Sequence, residues 1–265
     1  MNNNVEDNIC KICNSPTQNV FTTQILNKYQ VAYYQCTSCS FLQTEKPYWL
    51  EEAYSNSMNL TDTGILHRNL ISSKVCTSLL FLIFGTQGKY LDYAGGYGVF
   101  TRIMRDYGFN FFWFDPYTLN VMARGFEHDE KNKYTAVTTF ESFEHFENPI
   151  TELEKILQYS NNIIFSTELV PNKLPKPGEW WYYGLEHGQH IALHNKKSLQ
   201  VLAKKFDLNF YSLGNLHLFT QKKINPIFQI LFKFKYAKHI LFGLSYFLRP
   251  FLKSRTFSDM ISLRN

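Results

Sequence analysis

The sequence predicts an α/β fold: a mostly parallel sheet covered by helices on both faces, with a small metal-binding module ahead of it and a helical tail behind. Three observations predict it. Four of the five cysteines, Cys10, Cys13, Cys36 and Cys39, crowd near the N-terminus. From Lys89 to Thr220, short apolar runs alternate with helical stretches, as in successive βα units. From Gln221 onward the chain turns basic and aromatic, with nine Lys or Arg against Asp259 alone. These changes divide the chain into a module at residues 1–45, a main domain at 46–220 and an extension at 221–265.

Composition sets the class. A hydrophobic fraction of 45% in 265 residues is enough to bury a core. The net charge of +5 is uneven, because acidic side chains outnumber basic ones from Met1 to Thr220 and only the tail is basic. A body that gripped nucleic acid through its phosphates should show the opposite balance, so no nucleic-acid partner is expected. The segment Met1 to Cys10 has neither a basic start nor an apolar run, unlike a secretory signal. No stretch reaches the roughly eighteen apolar residues of a membrane span. A cytoplasmic protein is expected, with reduced thiols that favour metal binding over disulfides.

The elements follow in order. Cys10-Lys11-Ile12-Cys13 and Cys36-Thr37-Ser38-Cys39 are two CxxC turns set well apart. Each presents two thiolates, and the pair completes a tetrahedral sulfur shell suited to Zn²⁺. Four ligands leave no open position, so the metal would be structural. A connector rich in Glu, Tyr, Ser and Asn follows, from about Thr44 to Thr63. Cys76, in an apolar stretch, reads as a core residue. Lys89–Tyr93 reads as a strand entering a glycine run, and Val99–Tyr107 as a helix stopped by Gly108. Phe109–Phe114, Tyr134–Thr139 and Asn162–Ser166 read as strands. Asn148 and Pro149 suit the cap and first turn of a helix to about Tyr159, and Asn195 suits the cap of another to Phe206. Pro171 to His190 reads as a long loop, and Leu208 to Thr220 as the last strands.

The glycine run carries the chemistry. Asp92 sits at the end of the first strand of the alternating region, just before Gly95-Gly96-Tyr97-Gly98. Glycines there let backbone approach a nucleotide-like cofactor. The third glycine of a dinucleotide fingerprint is missing. Asp115 follows at the end of the next strand, where a carboxylate can accept from ribose hydroxyls. S-adenosylmethionine (SAM) has a ribose but no pyrophosphate, and its ammonium tolerates an acidic loop. The pattern therefore favours SAM over NAD.

On these residues, and on several further segments, the chain resembles the class I, Rossmann-like SAM-dependent methyltransferases found with bacterial sugar and surface-polysaccharide pathways. The segments are Tyr34 to Gln43, Asp62 to Gly64 with Arg68-Asn69, Asp92 to Gly98, Phe140 to Phe146, Trp180 to Tyr183, and Glu186 to Ile191. The resemblance runs from about Asn8 to Thr220. The chain is similar in layout to sugar C-methyltransferases, which also carry an N-terminal zinc module, although their long C-terminal domain is not expected here. The resemblance implies that Asp92, Gly95, Gly96 and Gly98 contact the methionine part of SAM. It implies that Asp115 holds the ribose, flanked by Phe114 or Pro116, and that Glu141 lies near the cofactor. Glu144 and His145 would lie close to the reacting centre.

Methyl transfer to an alcohol needs alignment and a general base near neutral pH, which is the usual work of His. In the sugar methyltransferases a Glu-His pair stands where this chain has Gln189-His190. His190 is thus the first candidate base, with His187 and His145 next. His187, His190 and His194 also have the spacing of a metal-binding helical face, although Gly188 and Ile191 oppose a helix. Trp180 to Tyr183 suit either sugar stacking or core packing. The tail alternates Lys233, Lys235 and Lys238 with Phe232, Phe234 and Tyr236, compatible with an anionic membrane surface, a pocket closure or a homodimer face. The expected function is O-methylation of a nucleotide-linked sugar or capsule precursor. The alternatives are an RNA methyltransferase with zinc knuckles and a non-catalytic SAM-binding scaffold.

Overall fold

The computed structural model describes residues 9–55 and 62–264; positions 56–61, in the expected connector, lie outside the described residues. Two sheets organise the chain. The first is four-stranded, in the order β1-β2-β3-β8: β1 Thr17–Ile25, β2 Tyr29–Cys36, β3 Leu42–Thr44 and β8 Ala192–Leu193. All its pairings are antiparallel. β8 comes from far along the chain, so the cysteine-bearing module is completed by two residues just beyond His190. A short α1, Leu50–Ala53, follows the module, and α2, Ile65–Leu79, leads into the main domain.

The second sheet has six strands in the order β5-β4-β6-β7-β10-β9. β4 Lys89–Tyr93, β5 Asn110–Phe114, β6 Ala136–Phe140 and β7 Asn162–Ser166 run parallel. Their near-continuous apolar character fits burial on both faces. The last strands depart from the parallel expectation. β9 Asn209–Leu213 and β10 Leu216–Thr220 form a hairpin, and β10 runs antiparallel to β7. The physical reason is connection length: Gly214 and Asn215 leave a two-residue turn, and only antiparallel strands can be joined so tightly. Gly214 takes the positive φ (66°) such a turn requires.

The helices start where local chemistry demands. Asn148 caps α4, Pro149–Leu157, by accepting from the Thr151 amide, with Pro149 at the first turn. Asn195 caps α5, Lys196–Lys205, in a reciprocal capping box with Ser198. α3, Val99–Asp106, starts at Gly98 and ends before Gly108, whose φ of 101° suits glycine. Cys76 is fully buried in the apolar layer that α2, α3 and the sheet share.

The tail forms α6 Pro226–Leu231, α7 Ala237–Leu248 and α8 Thr256–Ser262. α7 packs on α2 through Ala237, Leu241, Ser245 and Leu248. α8 is tied to α3 by charge. Asp259 takes a bidentate pair from Arg105, with both N–O distances 2.7 Å, and a further bond from Arg102 at 3.0 Å. Arg105 and Asp259 are both buried, and the ring of Phe126 lies 3.5 Å from the Arg105 guanidinium carbon. Among the described residues no helix is long and apolar enough to cross a membrane.

Candidate active site and cysteine cluster

β4 lies between β5 and β6, and the chain leaves it in opposite directions on its two sides. Such a switch point opens a crevice at the carboxyl ends of the strands. Asp92 and the glycine run stand at the tip of β4, Asp115 at the tip of β5, and Glu141 at the tip of β6. Two non-glycine residues at these tips, Ala94 (φ 56°) and Glu141 (φ 50°), hold left-handed backbone. Strain of that kind concentrates where a ligand is held.

Asp92 is buried and braced from two sides. It accepts from Thr101 at 2.9 Å and from Thr138 at 3.2 Å. Burial outweighs these bonds and raises its pKa to about 7. Gly95 is required by close approach: an added Cβ would come within 2.8 Å of both the Asp92 carboxylate and the Trp113 ring. The Gly96 residue is gripped at both ends. Its N–H donates to Asp115 at 2.9 Å, and its oxygen accepts from Trp113 Nε1 at 2.8 Å. Asp115 also accepts from the amides of Tyr117 and Thr118, at 2.8 and 2.9 Å. Its carboxylate thus shapes the glycine turn. Pro116, next to it, is exposed.

The second half of the site lies beyond β6 and in the histidine loop. Glu141 closes a two-way bond with Ser166, donating its amide at 2.9 Å and accepting from the hydroxyl at 2.6 Å. Burial and the neighbouring Glu144 raise its pKa to about 7. Arg68, held by both oxygens of Asp62 at 2.7 and 2.6 Å, directs positive charge toward Glu141 and Glu144. Glu144 is wholly buried, and among the described residues neither of its carboxylate oxygens completes a hydrogen bond. Desolvation raises its pKa to about 7, against the pull of the nearby Tyr182 and Thr167 hydroxyls.

The structure brings Glu144, His145 and His190 together: a carboxylate oxygen and a ring nitrogen of each histidine all lie within 4.8 Å of one another. Hydrogen bonds fix the tautomers. His190 Nδ1 lies 2.7 Å from the Tyr182 carbonyl, which can only accept, so Nδ1 carries the proton and Nε2 keeps its lone pair. His145 Nδ1 faces the Gln189 carbonyl at 3.0 Å in the same way, with the Tyr54 hydroxyl at 2.9 Å. Burial lowers the pKa of both histidines, so the neutral rings dominate at neutral pH. His187 differs. Its Nδ1 accepts from the Gln189 amide at 3.1 Å, which leaves Nε2 as the protonated nitrogen of the neutral ring. Its ring centre lies 4.7 Å from that of His190.

The metal line through His187, His190 and His194 is not formed. The segment is no helix, and His194 is buried against Phe41 and Phe143. Of the aromatic quartet, Tyr182 and Tyr183 are core residues, Trp180 is half-buried and only Trp181 is largely exposed.

The N-terminal module and the short segment after it hold the histidine loop in place. Trp49 Nε1 donates to the Gly188 carbonyl at 2.7 Å, and Gln189 Nε2 donates to the Ala53 carbonyl at 2.7 Å. The Leu26 amide donates to Leu185 at 2.8 Å, and the Thr44 amide to Ile191 at 3.1 Å. No sequence pattern marks Trp49 or Tyr54, because their role depends on contacts with Gly188 and His145, far along the chain.

The cysteine cluster fits a metal. Sγ–Sγ distances are 3.6 Å for Cys10–Cys39, 3.4 Å for Cys13–Cys36 and 3.6 Å for Cys13–Cys39. A tetrahedron with Zn–S bonds of about 2.3 Å has edges of about 3.8 Å. The amides of Ser38 and Cys39 point at Cys36 Sγ, both at 3.3 Å, as amides do toward a thiolate. The donor set, all sulfur and largely buried, suits Zn²⁺ in a closed structural site.

A family profile described as a methyltransferase domain matches residues 67–213, more than half of the chain. Nothing among the curated proteins matches. Among solved structures, the plantazolicin methyltransferase BpumL in complex with SAH is 18% identical, with 60% of this chain and 76% of that one covered at a TM-score of 0.43. Magnesium protoporphyrin IX methyltransferase from Synechocystis PCC 6803, with bound SAM, is 12% identical, covering 64% and 89% at a TM-score of 0.42. An O-methyltransferase family 2 protein from Planctomyces limnophilus is 14% identical, covering 64% of each chain at 0.41. The family match spans the glycine run, the strand-tip acids and the histidine loop, and the chain belongs to the methyltransferase-domain family as a SAM-dependent methyltransferase.

Proposed function

We propose that the protein methylates a hydroxyl oxygen of a nucleotide-linked sugar or a related surface-polysaccharide precursor. The observation that carries the reading is the convergence of Glu144, His145 and His190 on one buried point, with both histidines fixed as neutral bases. Bound SAM supplies a methyl group made electrophilic by its sulfonium. Asp92 and the backbone of Gly95 to Gly98 would hold its amino-acid end, and Asp115 its ribose. The Tyr182 carbonyl holds His190 Nδ1–H, which leaves Nε2 free to serve as the base toward an acceptor. His190 Nε2 would take the proton that the acceptor hydroxyl must lose when its oxygen is methylated. Histidine chemistry suits a hydroxyl, whose proton must leave. The cysteine module would carry Zn²⁺ and keep the histidine loop seated.

A second reading has an observation of its own. The unpartnered, buried Glu144 and two histidines whose other nitrogens face backbone carbonyls are also the donor set of an open divalent-cation site. A cation there would bind the acceptor oxygen directly and acidify its hydroxyl.

The test is incubation with labelled SAM and a panel of nucleotide-activated sugars, followed by mapping of the product. A methyl ether on a ring hydroxyl is expected. Transfer to carbon or nitrogen, or to RNA in place of any sugar, would overturn the reading. Repeating the assay after exposure to a chelator too weak to open the cysteine cluster separates the two mechanisms: an unchanged rate favours the histidine base, and a loss restored by Mn²⁺ favours the cation.

A further inference from the structure

We infer that the C-terminal segment docks the enzyme on an anionic membrane surface through one stripe of α7. The stripe runs through Ile240, Gly243 and Phe247 of α7, at steps of three and four positions that keep them on one side of the helix, and is extended at its ends by Tyr236 at the cap and Phe251 in the short turn that follows. Phe247 is 77% and Phe251 75% exposed, and Tyr236 and Ile240 are exposed too. Large aromatic side chains this open in a row are unusual on a soluble surface and mark an interaction site. The adjoining face of α7 is occupied by its packing on α2, where the Ser78 hydroxyl bonds the Leu241 carbonyl at 2.6 Å. The stripe is thus what the packed helix leaves facing outward.

Charge selects the occupant. Lys233 and Lys235 lie just before the helix, and Arg249 and Lys253 just after it; all four are exposed. Asp259, the one acid from Gln221 onward, is buried in its bonds to Arg105 and Arg102 and does not offset them. An apolar stripe bracketed by cations lies flat in the headgroup region of anionic lipids, with the rings in the acyl boundary and each cation adding to the attraction. A spanning mode is not open to it, since none of the described helices can cross a membrane. The stripe begins near the crevice. Lys238, in the first turn of α7, donates to Asn215 at 2.7 Å, and Asn215 bonds Glu168 beyond the tip of β7 at 2.8 Å.

Flotation of the full chain with vesicles tests this. One set contains phosphatidylcholine alone, the other phosphatidylcholine with phosphatidylglycerol. At least about tenfold preference for the anionic vesicles is expected, weakening as salt is raised. The double variant Phe247→Ser with Phe251→Ser should lose about tenfold or more of that binding with an unchanged melting curve, because both rings are exposed. Equal partition into both vesicle types, or variant binding equal to the native chain's, would overturn the inference. So would sedimentation showing a dimer that the double variant splits, because the stripe would then be the contact between two copies.

Discussion

Gln43 and Ala192 sit opposite each other across the β3–β8 ladder, just beyond His190. The Gln43 side chain meanwhile bonds the Ile9 carbonyl and the Lys11 amide, both at 3.0 Å, beside the first cysteine turn. One residue therefore links the cysteine cluster to the strand that ends the histidine loop.

The cysteine cluster should govern activity without taking part in the chemistry. Stripping the metal with a strong chelator, or changing Cys13 to Ser, should release β3, β8 and the loop between β7 and β8. Loss of more than about tenfold in turnover is expected, since misplacing a catalytic group by about 1 Å can cost a hundredfold. SAM affinity measured by calorimetry should move far less, because the glycine run lies on the other sheet. Element analysis should find zinc in the native protein. Full turnover in a zinc-free, folded sample would refute the linkage.

His190 and His187 should separate sharply. His190→Ala should cut turnover by about 10² or more with SAM binding intact, as removal of a general base does. His187→Ala should cost much less, because its Nδ1 is already taken by the Gln189 amide. Equal losses from the two would contradict the tautomers derived above.

Glu144 should give the fold a pH dependence that Gln removes. Its folded pKa of about 7 lies above the unfolded value of about 4.3. The folded state keeps a proton that the unfolded chain gives up, so this stabilisation is complete below about pH 4 and is lost as pH rises through 7. Glu144→Gln keeps the neutral shape at every pH. Its melting temperature relative to the native chain should therefore climb from pH 5 to pH 8, a gain of roughly 1–3 kcal/mol at about 1.4 kcal/mol per pKa unit. His194 and His217, held by burial at about 3 and about 4, lose stability as pH falls below about 6.5, but they do so in both proteins and cancel. A flat difference would show that Glu144 is not held protonated.

Gly95→Ala tests the glycine turn. Its methyl would press on Asp92 and Trp113, costing roughly 1–3 kcal/mol of stability by overpacking. SAM affinity should fall in parallel, since Trp113 also fixes the Gly96 carbonyl. Unchanged melting and unchanged titration heats would mean that the turn yields freely.

Asp259→Ala should be among the most damaging single changes outside the crevice. It leaves Arg105 buried without its partner, and breaking such pairs costs about 3–5 kcal/mol. Chemical denaturation of the variant against the native chain measures it. A loss below about 1 kcal/mol would show that Arg105 finds other partners.

Legibility in the sequence follows the range of the forces involved. Lys89–Tyr93 and Asn162–Ser166 are legible to the residue, because strand ends there are set by Gly88, Ala94 and the flanking polar residues. Asn148 and Asn195 announce their helices through local capping bonds. The cysteine grouping is legible because metal spacing is a local code. The direction of β10 is not, because it shows only once the run from Leu208 to Thr220 is split into two strands at Gly214 and Asn215, and the apolar pattern alone does not place that split. Nor is the reach of β8 into the first sheet: Ala192 and Leu193 carry no mark of partners as distant in sequence as Gln43 and Leu42. His145 and His190 stand out singly in the sequence, but that they share Glu144 as a neighbour depends on two loops meeting, which no periodicity encodes.

The pairing of Arg105 with Asp259 also bears on how the chain is made. Residues of α3 leave the ribosome long before α8 does, and until Asp259 arrives, a guanidinium destined for the interior has no carboxylate to meet. Until then the guanidinium has only the Asn110 side chain and the Phe111 carbonyl of β5 to hold it, so its tie to α8 is the last contact this side chain can make.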